Sequence, residues 1–187
     1  MGVAVSHWRL ARAVAQTGQL GVVSSVALSR VLASRLADGD LGGHMRRALD
    51  SLPLPDIARR IVNRYLVPGG KPPDAPYPRP PAYTIRPVKF LDQLTVIANY
   101  IEVWLAKEGH AGPVGVNLLE KIQLPNLASL YGAMLAGVDY VLVGAGIPTQ
   151  FAALLDKLAE HRPVSYRLDV RGAAPEDDIR IHLDPER

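Results

Sequence analysis

The sequence contains no cysteine. That excludes disulfides, thiolate nucleophiles and cysteine-based metal sites; it fits a reducing compartment, and a cytoplasmic protein is expected. Aromatic residues make up only 6% of the 187 residues, with 2 Phe and 2 Trp, which argues against stacking surfaces for single-stranded nucleic acid. The net charge of +3 is spread along the chain without a basic run, so no nucleic-acid partner is expected. No apolar stretch reaches the roughly 18 residues of a membrane span, and no membrane partner is expected. The 5 histidines never fall in a His-x-x-x-His spacing, and no metal site is expected.

Acidic residues are missing from the first part of the chain, where the earliest is Asp38. Three readings compete there. "MGVAVS" fits the myristoylation pattern Met-Gly-x-x-x-Ser, and the arginines and serines before Asp38 give the look of a transit peptide. The third reading is folded domain sequence, and the motifs that follow favour it.

What the chain does have is 48% hydrophobic residues, 21% charged residues, 16 Gly and 16 Pro. This suits one globular domain, or a piece of a larger one, with many turns between short elements. "HWRLARAVAQTG" reads as a helix capped by Ser6, with Trp8, Leu10, Ala11, Val14 and Ala15 on one face. "LGVVS" is a short buried strand, and residues 26–37 form a second helix with Val26, Leu28, Val31, Leu32 and Leu36 inward. Residues 38–89 break this rhythm with "DGDLGGH", a helix over 55–66, and the proline-dense "VPGGKPPDAPYPRPP". Such a stretch is neither regular helix nor central strand, and it reads as an insertion within one domain, 1–187.

Residues 90–108 carry the strongest helical pattern, through Leu91, Leu94, Ile97, Ala98, Ile101, Trp104 and Leu105. Then come the strand "GPVGVNLL", finishing at Asn117, the helix "LASLYGAMLAG" and the strand "VDYVLVGAG". The helix "TQFAALLDKLAEH", the strand "PVSYRLDV" and a last strand, "IRIHL", complete the chain. Apolar strands alternating with helices imply a parallel sheet covered on both sides, with one βα unit per roughly 30 residues.

Ligands of parallel α/β folds collect where strands end. Three such ends stand out: residues 1–6, Asn117, and Gly144-Ala145-Gly146. Glycines there let backbone amides approach a planar ring or a phosphate, and Asn offers both a donor and an acceptor. Each signal is weak alone. Gly-Ala-Gly is more often a tight turn, and Asn117 equally caps a turn. A dinucleotide fingerprint fails because Thr149 stands where its third glycine would be.

Three blocks in order, "MGVAVSHWRLARAVAQTGQLGVVS", "GPVGVNLLEKIQLP" and "LYGAMLAGVDYVLVGAGIP", resemble the nitronate monooxygenase family, formerly called 2-nitropropane dioxygenases. They are most similar to its long-chain bacterial branch, and the likeness extends through "NYIEVWLAKEGH". The resemblance implies a (β/α)8 TIM barrel with FMN at the carboxyl ends of its strands. It also implies an oxidoreductase activity in which an alkyl nitronate and O2 give a carbonyl compound and nitrite. Carried over by position, Met1, Gly2 and Val3 match the loop beside the flavin ring. Asn117 matches an FMN-binding asparagine, and Gly144 and Gly146 match a strand end lining the pocket.

The chain departs from that pattern in what it lacks. The family's first strand precedes the turn at Met1, and a barrel needs about 250 residues. The family's Ala-Gly-Gly-His segment, whose histidine acts on substrate, is missing, so no catalytic residue is assigned. "LGGHMRR" does not replace it: His44 follows a polar turn and reads as surface or a helix start. The expectation is therefore an incomplete barrel of about five βα units, the N-terminal portion of the family's fold, truncated and of uncertain activity alone.

Elsewhere, Glu120 and Lys121 read as substrate contacts or a solvated ion pair, with the pair favoured. Asp139 reads as a turn residue away from the site. Asp169 reads as a ligand contact or a plain exit turn, and 176–178 as a solvated loop. Two other functions remain open. One is a flavin-dependent enoyl reductase sharing the barrel and the early glycine and asparagine motifs. The other is a non-catalytic half-barrel that associates with a partner or with itself through unpaired sheet edges.

Overall fold

The structure, a computed structural model, describes residues 2–52, 54–174 and 176–186. The first unit is helix α1 (Trp8–Ala15), strand β1 (Gly21–Ser24) and helix α2 (Leu28–Ala37). Next come α3 (His44–Asp50), α4 (Pro55–Tyr65) and the long α5 (Lys89–Lys107). The chain then runs β2 (Val114–Leu119), α6 (Asn126–Leu135), β3 (Tyr140–Gly144), α7 (Phe151–Ala159), β4 (Val164–Arg167) and β5 (Arg180–Leu183).

The architecture is mixed α/β. Strands β1, β2 and β3 form a parallel sheet in that order, with Val23 opposite Val116 and Asn117 opposite both Ser24 and Leu142. Each connection holds at least one helix, as parallel neighbours require. The next strand breaks the series. β4 pairs antiparallel with β5, Tyr166 opposite Ile181, and the described residues close no barrel. The polar turn "RGAAPEDD" is short enough for a local return, and a local antiparallel partner needs no crossover.

Side-chain alternation divides the three-stranded sheet. Val23, Val114 and Val116 enter the main hydrophobic core with α1, α2 and α5, while Leu118 and Val143 join a second core with α6, α7, β4 and β5. The alternate positions Val22, Gly115, Asn117, Leu119, Leu142 and Gly144 belong to neither core. Helices thus cover one face, not two, because the crossovers present in the chain all return on the same side.

Helix α5 is the hub. From Leu94 to Val103 every residue is buried, because α1, α2, α3, α4 and α6 all pack around it. Glycine makes the closest crossings feasible. A Cβ on Gly132 would lie 2.0 Å from the carbonyl oxygen of Val96, and one on Gly21 would lie 1.9 Å from that of Ala11. Residues 38–89 contribute Met45, Ala48, Leu49, Ile61 and Tyr65 to the main core. Their proline-rich part lies over the helices, fastened by Lys71 N–H to the Ala37 carbonyl at 2.7 Å and by Tyr83 Oη–H to Thr95 Oγ1 at 2.8 Å.

Several local readings are corrected. His7, not Ser6, caps α1, its Nδ1 accepting from Arg9 N–H at 3.1 Å. Leu10 is 48% exposed, since only Trp8, Ala11 and Ala15 of that helix meet the core. Asn117 does not end its strand, because pairing with β3 carries β2 on to Leu119. A helix at 44–50, unmarked by any long apolar pattern, starts where Asp40 accepts from Met45 N–H at 2.8 Å and Arg46 N–H at 3.0 Å.

Candidate ligand rim

Because β1, β2 and β3 are parallel, their carboxyl ends share one rim. At its first edge Ser6 closes the outer side of β1: Ser6 Oγ–H donates to the Val22 carbonyl at 2.8 Å, and Ser24 N–H donates to the Ser6 carbonyl at 2.8 Å. This ties the amino-terminal loop to the rim. Gly2 lies one turn earlier, its carbonyl accepting from Val5 and Ser6 N–H at 3.1 and 3.0 Å. Val3 is 44% exposed and borders α2 beside Ala27 and Arg30. Met1 lies outside the described residues.

Asn117 sits in the middle of the rim, on the face the helices leave uncovered. Its Oδ1 is buried without a hydrogen-bond partner, and so is the Oγ of its register neighbour Ser24. Buried polar atoms are normally paired, so two adjacent unpaired ones suit a polar ligand edge. Gly144 flanks them opposite Leu119, and an added Cβ there would meet nothing closer than 3.6 Å. Gly146 is different. The space over it is taken by Glu120, whose Oε2 would lie 2.5 Å from an added Cβ. Ala145 between them adopts a left-handed φ of 59°, which makes the sharp exit from β3.

The structure therefore brings Asn117 and Gly144 together, joins Gly2 and Val3 to the rim through Ser6, and sets Gly146 against a carboxylate. Sequence reading missed Ser24. The signal was present, since "SS" closes an apolar strand as Asn117 nearly does, but only register sets Ser24 beside Asn117.

The remaining candidates resolve simply. Glu120 and Lys121 form no ion pair: Glu120 accepts from Tyr166 Oη–H at 3.3 Å, and Lys121 is exposed. Burial, then the Glu120 carboxylate, pushes the Tyr166 phenol up to about 12. Asp139 lies at the opposite end of the sheet, accepting from Lys107 Nζ at 2.6 Å and Val114 N–H at 2.8 Å. Burial alone would raise its carboxyl, but these two donors outweigh it and hold it below the usual range. Asp169 is exposed, its N–H donating to Gln123 Oε1 at 2.6 Å. His44 opens α3, and its ring lies 5.0 Å from that of Trp8. Among the described residues no group of three or more His, Asp or Glu is arranged to hold a metal.

Fold and rim together define an α/β protein with a parallel three-stranded sheet and a small polar cluster at its carboxyl edge. No helix among the described residues is long and apolar enough to cross a membrane. Comparison with known proteins gives no match to any family model, curated protein or solved structure.

Proposed function

We propose that the chain is an FMN-binding part of an oxidoreductase like the nitronate monooxygenases, its three parallel strands being consecutive staves of an incomplete (β/α)8 barrel. The observation that carries the reading is the buried, unpaired pair on the face the helices do not cover, Asn117 Oδ1 and Ser24 Oγ, beside Gly144, where an added Cβ would meet nothing closer than 3.6 Å. In this reading that face is the barrel interior, and the rim is where a flavin ring lies.

The residues present fit such a ring in part. Asn117 would offer its carboxamide to the pyrimidine edge, whose N–H and carbonyl groups need an acceptor and a donor. Ser24 would donate to a second ring carbonyl, and Gly144 would let the ring lie close to the backbone. When bound, FMN supplies the ability to take two electrons from an alkyl nitronate and hand them to O2, giving a carbonyl compound and nitrite. The chain's own residues bind and orient. None of them is assigned a proton-transfer role.

The test is fluorescence titration of FMN with the purified chain. Binding is expected in titration and is expected to be lost on gel filtration, because one open sheet face encloses only part of a flavin. Asn117→Ala should weaken it about tenfold, the loss of one or two buried hydrogen bonds at about 1.5 kcal/mol. No flavin quenching at saturating FMN, or equal binding by Asn117→Ala, would overturn the reading. Nitrite release on adding a nitronate separates it from an enoyl reductase, whose flavin is instead bleached by NADH or NADPH.

A further inference from the structure

A second cleft, of about 680 Å³, opens on the carboxyl side of the sheet between α2, α6 and the strap at residues 79–83. It contains none of Gly2, Val3, Asn117, Gly144 or Gly146. We propose that it binds a small amphiphilic anion, with a phosphate or carboxylate head at the amino-termini of α2 and α6 and an apolar body along the strap.

Two helices present their amino-terminal ends here, and no side chain caps either. Neither Ala27 before α2 nor Pro125 before α6 makes a side-chain cap, and neither helix has an acidic residue in its first turn. Unsatisfied N–H groups and the positive end of the helix dipole favour an oxyanion. A pair of hydroxyls gives the independent sign of a ligand. Ser25 and Ser129 line the cleft, are 4% and 1% exposed, and have Oγ atoms buried without a partner. A buried hydroxyl beside another residue's uncapped helix end is a donor waiting for an acceptor.

Charge agrees with geometry. Arg30, Arg79 and Lys121 ring the mouth, all exposed, and none has a salt bridge among the described residues. No described Asp or Glu lines the cleft. The walls between head and strap are Val26, Leu28, Pro81, Ile122 and Leu124, so the ligand carries carbon as well as charge. The volume lies within the roughly 300–1,000 Å³ of small-molecule sites.

The test uses the full chain and three probes that share one tail: octyl phosphate, octanoate and octanol. Backbone amide shifts are followed by NMR. Saturable shifts are expected at Leu28, Ser29, Leu127 and Ala128 with the anions and not with octanol. Binding of the phosphate alone would assign a phosphate monoester, and equal binding of both would assign any oxyanion head. Ser29→Asp places an internal carboxylate in the first turn of α2; it should abolish binding while leaving Tm unchanged or higher. The surface pair Arg79→Gln with Lys121→Gln should weaken binding at least tenfold, and Asn117→Ala should leave it unchanged. Saturation by octanol equal to that by the anions, no saturation by either anion, or full binding by Ser29→Asp would overturn the proposal.

Discussion

At the residue scale, Asp92 is the carboxyl whose ionisation is most displaced. It lies half-buried near the start of α5 beside Tyr83, and burial raises its carboxyl to about 6, the Tyr83 hydroxyl opposing. The folded value is above the unfolded one, so the native state holds the proton more tightly. Stability from this group is full at low pH and falls as pH rises from about 4 to about 6. A shift of this size would correspond to about 3 kcal/mol, but solvent screening and the favourable dipole of the α5 amino-terminus reduce it to about 1 kcal/mol. Asp92→Asn should therefore stabilise the protein by about 1 kcal/mol at pH 7 and leave it unchanged at pH 4, read from urea midpoints at both pH values. A loss of stability at pH 7 would show that the carboxylate has a partner that matters more than its burial. Residues of this kind explain what the sequence could reveal. Asn117 was legible because a polar residue in an apolar strand is conspicuous. Ser24, Ser25 and Ser129 were not, because small hydroxyl residues interrupt no periodicity, and only strand register and helix packing show that their oxygens lack partners.

At the element scale, α5 was legible almost to the residue, expected over 90–108 and observed as Lys89–Lys107. Its apolar residues are too many for one face, and it is accordingly buried nearly all round. The three parallel strands were legible for a similar reason, as apolar runs between glycine-punctuated helices. The pairing of β4 was not, since a strand's sequence does not name its neighbour and a local return outcompeted a third crossover. Two predictions test the packing of α5. Gly132→Ala would drive a methyl into the Val96 carbonyl and should cost at least about 2 kcal/mol, as overpacking does; an unchanged denaturation midpoint would mean α6 slides freely. Glu102 is buried, 3% exposed at its side chain, where it accepts from Trp8 N–H at 2.8 Å and from Arg35. It therefore joins α5 to both α1 and α2. Glu102→Ala should cost about 3–5 kcal/mol, because Arg35 would be left half-buried without its carboxylate. Glu102→Leu combined with Arg35→Met should recover much of that loss, which calorimetry on the single and double variants would show.

At the scale of the whole molecule, the sheet ends without a partner on the β3 side. The Gly144 carbonyl accepts from Glu120 N–H at the end of β2, so by alternation the backbone of Leu142 also faces β2 and the N–H groups of Val141 and Val143 face away from the sheet. No described strand pairs with them. The other edge is blunted by Ser6, which bonds both Val22 and Ser24. Association therefore has a direction: an unpaired edge beside a face carrying the half-buried Val22, Leu119 and Leu142 favours strand-to-strand contact through β3. Sedimentation velocity should show a concentration-dependent dimer or larger species, and Leu142→Lys or the more exposed Tyr140→Lys should shift it to monomer. A monomer at every concentration would remove the associating half-barrel as a reading of this chain. The two functional readings also interact. Asn117 and Gly144 lie on the same face as Leu142, so a flavin covering that face should compete with association. FMN at a concentration that just saturates the original chain is expected to move its distribution toward monomer and to move that of Asn117→Ala, which should bind about tenfold more weakly, much less. If FMN binds and the distribution does not move, association runs through the β3 edge alone and the flavin rim stays free in the oligomer.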